Sequence, residues 1–115
     1  MSSCQAPKSN SSPSAAEKRA RVSERRRELR QEKRLWLYEY LLDHPCVDCG
    51  EDDPVVLEFD HQHNKELDIS RAVNDWSQER IEREIAKCEV VCSNCHKRRT
   101  AISQDWLIAR LHYSS

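Results

Sequence analysis

A chain of 115 residues, 37% apolar and 34% charged, is long enough for one small domain with an appendage and a thin core. Its single glycine, Gly50, excludes glycine-rich phosphate cradles, no apolar run approaches the ~18 residues a membrane span needs, and no apolar h-region marks a secretory signal. The net charge of −1 conceals a dipole, because residues 1–43 hold ten Lys/Arg against six Asp/Glu while residues 44–115 hold nine against fourteen.

Residues 1–16 are rich in Ser, Pro and Asn without an apolar period, and read as a disordered tail in which Cys4 has no evident role. From Ala15 to about Leu42 there is neither Gly nor Pro, and helix formers dominate, so residues 17–43 are expected as a basic helical arm. Its first two thirds are polar all round, with Arg25, Arg26 and Arg27 consecutive; alone in water such a helix is marginal. Leu35, Trp36, Tyr38, Tyr40, Leu41 and Leu42 give the last third apolar mass to dock on a body. His44-Pro45 ends the helix, since the residue before proline disfavours the α region.

Residues 44–115 form the expected body. Cys46-Val-Asp-Cys49 is followed at once by Gly50, where a metal knuckle needs positive φ. Val55–Phe59 reads as a strand with Val55, Leu57 and Phe59 on one face, running into Asp60-His61-Gln62-His63-Asn64. Leu67–Ile69 reads as a short extended piece able to pair with it. Ser77 is placed to N-cap a helix over Gln78–Lys87, with Ile81, Ile85 and Cys88 on its inner face. Val90-Val91 leads into Cys92-Ser-Asn-Cys95-His96, Lys97-Arg98-Arg99-Thr100 opens a helical stretch, and Ser103–His112 reads as a last amphipathic helix.

With no export signal, a reducing cytoplasm is expected, and there cysteines read as metal ligands before disulfides. Two Cys-x-x-Cys pairs place Cys46, Cys49, Cys92 and Cys95 on one structural zinc. Positions 50–91 lie between the pairs, 42 residues against the ~15–20 of a zinc ribbon, so the middle of the domain is inserted between two knuckles. A redox Cys-x-x-Cys fits badly without a βαβ context. Cys88 could compete as a ligand but reads better as a buried thiol. Asp60-His61 ends a strand inside the zinc-closed loop, and His96 adjoins a zinc cysteine. Four thiolates saturate the zinc, which leaves these histidines free for other work.

The combination of Cys-x-x-Cys, Leu57-x-Phe59-Asp60-His61, and Val-Val-Cys92-x-x-Cys95-His96-x-x-x-Thr100 resembles the HNH nucleases, most closely the zinc-containing HNH endonucleases common in phage genomes. The likeness covers roughly residues 46–100. It implies an α+β chain: a small zinc-stapled ββα-metal domain (HNH, His-Me finger) with a long N-terminal basic helix and flanking helices. It also implies that Asp60 and His96 hold a catalytic divalent ion and that His61 is the general base. The family's middle Asn, a brace for the loop bearing the catalytic histidine, is Lys87 here; Lys87 or Asn94 would fill that role. The Pro and Gly-Gly that often follow Asp-His are also absent.

The expected activity is therefore metal-dependent hydrolysis of DNA phosphodiesters, as a nick or a double-strand cut. As a neutral imidazole, His61 can take a proton from water. Asp60 suits Mg²⁺ or Mn²⁺, and the His96 nitrogen also admits Ni²⁺ or Co²⁺. On an ideal strand Asp60 and His61 face opposite sides, so the strand is expected to break at Asp60 and let both reach one phosphate. His63 reads as a solvated loop residue. Lys97, Arg98 and Arg99 beside the metal, with Arg25, Arg26 and Arg27 on the arm, are expected to hold the backbone of double-stranded DNA. Phage packaging proteins are partners by family analogy only, and no membrane partner is expected. A zinc-dependent DNA-binding protein without cleavage, or a structural zinc module that binds protein through its acidic body, would also explain the cysteines, but neither accounts for Asp60, His61 and His96 together.

Overall fold

The computed structural model describes residues 13–114, so the expected tail as far as residue 12, with Cys4, lies outside the described residues. The described residues fall into two compact units, one ending at Glu32 and the other beginning at Lys33.

Helix α1 spans Ala15–Leu42, the length expected from the missing Gly and Pro. Ser14 and Glu17 open it with a reciprocal capping box: Ser14 Oγ accepts from the Glu17 amide at 3.1 Å, and Glu17 Oε1 accepts from the Ser14 amide at 3.4 Å. In the first unit, Arg25, Arg26 and Arg27 are exposed, and Arg25 pairs with Glu28 at 3.2 Å.

The second unit contains the end of α1 and everything after it. Lys33 Nζ donates to the Trp76 carbonyl at 2.7 Å. Trp36, Leu37, Tyr40 and Leu41 pack on the core, whereas Leu35, Tyr38 and Leu42 stay exposed. The docking stripe therefore follows helical spacing and takes only part of the apolar run. At the helix end His44 Nδ1 meets the Tyr40 carbonyl at 2.6 Å, and that carbonyl also accepts from the Asp43 amide at 3.1 Å.

A 3₁₀ turn at Pro54–Val56 precedes strand β1, Leu57–His61. This shifts the expected strand by two residues. Asp53 Oδ1 caps the turn by accepting from the Val55 amide, and Val55 is left 88% exposed rather than sharing a face with Leu57 and Phe59. β1 pairs antiparallel with β2, Cys88–Cys92, in a register from Leu57↔Cys92 to His61↔Cys88. Leu67–Ile69 does not pair with β1; Ile69 instead opens the short helix α2, Ile69–Ala72, and is buried.

Helix α3, Gln78–Ile85, is capped by Ser77 Oγ accepting from the Arg80 amide, and it buries Ile81, Glu84 and Ile85. Cys88 lies beyond it, at the first position of β2. Helix α4, Ser93–Ser103, begins inside the second cysteine pair. It ends where Asp105 takes φ 55°, a left-handed conformation that stops a helix, and α5 then spans Leu107–Tyr113. The single helix expected over Ser103–His112 is therefore replaced by the end of α4, a turn and α5.

The resulting α+β body has two apolar clusters, one around the sheet and the cysteines and one between α2 and α3, with Tyr40 and Phe59 packing against both. No helix among the described residues is long and apolar enough to cross a membrane.

Candidate metal centres

The two cysteine pairs meet in space. The first sits in a turn closed by the Gly50 amide donating to the Cys46 carbonyl at 2.8 Å, with Gly50 at φ 83° as its position required. The second straddles the junction of β2 and α4, where Cys92 is the N-cap and its Sγ accepts from the Cys95 amide at 3.4 Å. All four sulfurs lie within 4.8 Å of one another, and Cys49 and Cys92 are 3.7 Å apart. A tetrahedral ion with ~2.3 Å metal–sulfur bonds sets its sulfurs about 3.8 Å apart, so the cluster is dimensioned for a structural metal such as zinc.

The electrostatics fit the same occupant. Burial opposes ionisation of Cys46, but backbone N–H groups of Cys92, Cys49 and Asp48 bring it down to about 6. Burial and three neighbouring sulfurs push Cys95 up to about 12. One thiolate forms easily and the last only with difficulty, which is the condition a bound divalent cation reverses. Arg98 Nη1 supports the cluster by donating to Cys95 Sγ at 3.6 Å.

On the outer face of the sheet, β1 and α4 bring Glu58, Asp60, His96 and Arg99 together. His96 Nδ1 lies 2.7 Å from Glu58 Oε1, and His96 Nε2 lies 3.5 Å from Asp60 Oδ1. Glu58 is fixed from its other oxygen, Oε2, by Ser93 Oγ donating at 2.8 Å. The His96 contact, with Ser93 helping against partial burial, holds the Glu58 carboxyl below its ordinary range. Arg99 Nη1 donates to Asp60 Oδ2 at 2.8 Å and to Glu89 at 2.9 Å, while Nε and Nη2 make a two-pronged pair with Asp48, both at 2.7 Å. Of the three consecutive basic residues, Arg99 is thus committed to three carboxylates.

β1 does not break at Asp60. It stays paired through His61, and the Gln62 amide continues the ladder to the Lys87 carbonyl at 2.8 Å. Asp60 therefore faces α4 and His61 faces α3, which corrects the expectation that both turn to one side. The His61 side chain is 8% exposed, and its Nε2 lies 3.0 Å from Glu84 Oε2. Nε2 is thus a buried atom beside the Glu84 carboxylate without a hydrogen-bond partner.

Glu84 is 2% exposed. Burial alone would raise its pKa, but the Lys87 ammonium at 2.9 Å, the Glu66 amide at 2.9 Å and His61 bring it down to about 2. Lys87 Nζ also donates to the Asn64 carbonyl at 2.9 Å, so it ties the loop after His61 to α3. Asn94 is not in this network and lines a groove between α4 and α5 instead. Lys97 and Arg98 line that same groove, turned away from Asp60 and His96. His63 is exposed in its loop. Cys88 is half-buried, donates weakly to the Glu84 carbonyl at 3.5 Å and stands apart from the four-cysteine group; burial and nearby carboxylates push its thiol up to about 11.

Two residues that matter here have only faint signals in the sequence. Glu58 is two positions before Asp60, and period-2 alternation puts both on one face of a strand. Glu84 sits on the inner face of α3 beside Ile81 and Ile85, where a carboxylate needs a partner.

Replacing Glu84 with Gln is expected to lower unfolding free energy at pH 7 by ~2–3 kcal/mol, the scale of charge-assisted hydrogen bonds lost in a buried site. Its folded pKa lies below the unfolded carboxylate value of ~4.3, so the stabilisation is complete above that value and disappears as pH falls toward about 2. Urea titrations of both proteins should show a gap at pH 7 that narrows only below pH ~4.5.

Comparison of the chain with family models, curated proteins and solved structures finds no match.

Proposed function

We propose that the chain is a metal-dependent DNA endonuclease: zinc on Cys46, Cys49, Cys92 and Cys95 holds the fold, and Asp60 and His96 hold a second divalent ion, Mg²⁺ or Mn²⁺ by preference, with Ni²⁺ or Co²⁺ also admitted by the nitrogen ligand. The observation that carries this reading is the chain of contacts Glu58–His96–Asp60. A carboxylate on one imidazole nitrogen fixes the tautomer and leaves the other nitrogen as a lone-pair donor, as in metal-binding histidines generally. That free nitrogen, Nε2, is the one beside Asp60 Oδ1. Arg99 holds the other Asp60 oxygen and so orients the carboxylate. Two protein ligands suit a hard cation that fills its remaining positions with water and phosphate oxygens.

When bound, such an ion polarises the phosphoryl group and stabilises the leaving oxygen. The chain's own residues supply the rest. His61 accepts the proton of the attacking water, and the ionised Glu84 carboxylate stabilises the imidazolium that forms. Lys87 holds both Glu84 and the loop after His61. Arg25, Arg26 and Arg27 contribute exposed positive charge for phosphates.

A second reading is a zinc-dependent DNA-binding protein without cleavage. The burial of His61 against Glu84, on the opposite side of β1 from Asp60, favours it. Supercoiled plasmid incubated with the zinc-loaded protein and Mg²⁺, Mn²⁺ or Ni²⁺ decides between them. Conversion to nicked or linear DNA is expected; binding without conversion under all three ions overturns the endonuclease reading.

Glu58→Gln removes the charge that fixes His96. It is expected to raise the Mn²⁺ concentration giving half-maximal nicking by ~10–100-fold, while zinc content stays constant. An unchanged Mn²⁺ requirement would show that Glu58 does not act through His96.

A further inference from the structure

Helical geometry separates the basic run that follows His96. His96 and Arg99 occupy the face of α4 toward Asp60. Asn94, Lys97, Arg98 and Ala101, at i, i+3, i+4 and i+7, occupy the other face, which forms a groove of about 440 Å³ with α5. Its remaining wall carries three rings, Trp106, His112 and Tyr113, and its floor is apolar. Residues 44–115 hold fourteen Asp/Glu against nine Lys/Arg, yet no side-chain carboxylate among the described residues lines this groove. Among the described residues neither Lys97 nor Arg98 pairs with a carboxylate, whereas Arg99 pairs with three. The groove is large enough for a nucleotide-sized group, and it is open.

We infer that the α4–α5 groove binds an unstacked nucleotide of single-stranded DNA, with the base against Trp106 and Tyr113 and its phosphate on Lys97 and Arg98. Aromatic rings stack on any base, and adjacent cations hold the backbone, which is the chemistry of single-strand recognition; a duplex presents phosphates but no free base face. A purely apolar partner would leave Lys97 with no counter-charge, and Arg98 with only the Cys95 sulfur that one of its nitrogens reaches. The inference rests on the nucleic-acid reading above but not on cleavage.

The test uses fluorescein-labelled dT15 and a 15-base-pair duplex, titrated by anisotropy against the full zinc-loaded chain with no other divalent ion, so that cleavage plays no part. Trp106→Ala is expected to weaken dT15 binding about tenfold and duplex binding less than twofold, with Trp106→Phe restoring most of the loss. Tyr113→Ala, at the opposite end of α5, should act in the same direction and stands in if Trp106→Ala misfolds. Lys97→Ala should reduce the salt slope of dT15 binding by about one. Equal losses on both probes, or none on either, would overturn the proposal. So would sedimentation showing that the rings hold two copies of the chain together while dT15 binding is unaltered. A chain that binds dT15 through Trp106 but never nicks plasmid would retain this site and lose the endonuclease reading; the converse result would do the opposite.

Discussion

Replacing Cys92 with Ser is expected to abolish stoichiometric zinc binding and to unfold residues 33–115 at 37 °C. Cys92 does three jobs at one position: it closes the register of the sheet opposite Leu57, caps α4, and contributes a sulfur to the cluster. Serine can still cap a helix, so the capping loss is small. The sulfur is not replaceable in this way, because its removal leaves three thiols for the metal, and one of them, the buried Cys95, already resists ionisation. The surrounding core cannot compensate. Of the six buried residues in the cluster around the sheet, three are Cys46, Cys92 and Cys95 themselves, with Leu57, Val90 and Val91 as the rest. Structural zinc in small domains supplies apparent binding energies of ~10–16 kcal/mol, as large as the ~5–15 kcal/mol that holds a typical domain folded. Circular dichroism with metal analysis of purified protein checks this. A Cys92→Ser protein that is folded and zinc-free would show that the apolar clusters suffice without the metal. Loss of structure on chelation, restored by zinc, should reproduce the variant in the natural chain.

The cysteine arrangement was legible because it depends on spacing within each pair and on the lack of any other use for four thiols. The 42-residue separation of the pairs did not obscure it. Helix α1, the Ser77 cap and the positive φ at Gly50 were legible for the same reason, since each follows from local chemistry. Properties that depend on pairing partners were not. Whether β1 stops at Asp60 is decided by β2, which offers Glu89 and Cys88 opposite Asp60 and His61 and so continues the ladder. Once the strand continues, alternation sends the two side chains apart. The consecutive Lys97, Arg98 and Arg99 likewise read as one positive cluster in sequence, but a helix turns about 100° per residue and assigns them to two faces. Sequence adjacency is a poor guide to spatial adjacency inside regular elements, and both corrections have this one cause. Glu84 illustrates the reverse case. It is eighteen or more residues from every group it serves except Lys87 and Cys88, and only the fold brings His61 and the Glu66 amide to it.

The unbroken strand makes one pair of substitutions decisive. His96→Ala should reduce plasmid nicking at least a thousandfold at saturating Mn²⁺, because loss of a ligand forfeits several kcal/mol of charge stabilisation and each 1.36 kcal/mol is tenfold in rate. His61→Ala should reduce it by ~10²–10⁴, the usual contribution of a positioned general base. Neither change should alter duplex binding more than twofold, since neither residue offers a permanent positive charge for phosphate. The two halves of the site lie on opposite faces of β1, so their losses test separate things. If His96→Ala is inactive and His61→Ala cuts as well as the natural chain, the ion site is real and the base lies elsewhere. If His61 does act as the base, it acts with Glu84, whose carboxylate is the ionised group 3.0 Å from its ring. Glu84→Gln alone should then slow nicking, and adding Glu84→Gln to His61→Ala should cost nothing further, because residues that work as a unit lose their effect together. Additive losses from the two substitutions would make Glu84 a support of the fold with no part in proton transfer, and the stability measurement on Glu84→Gln would then account for its whole effect.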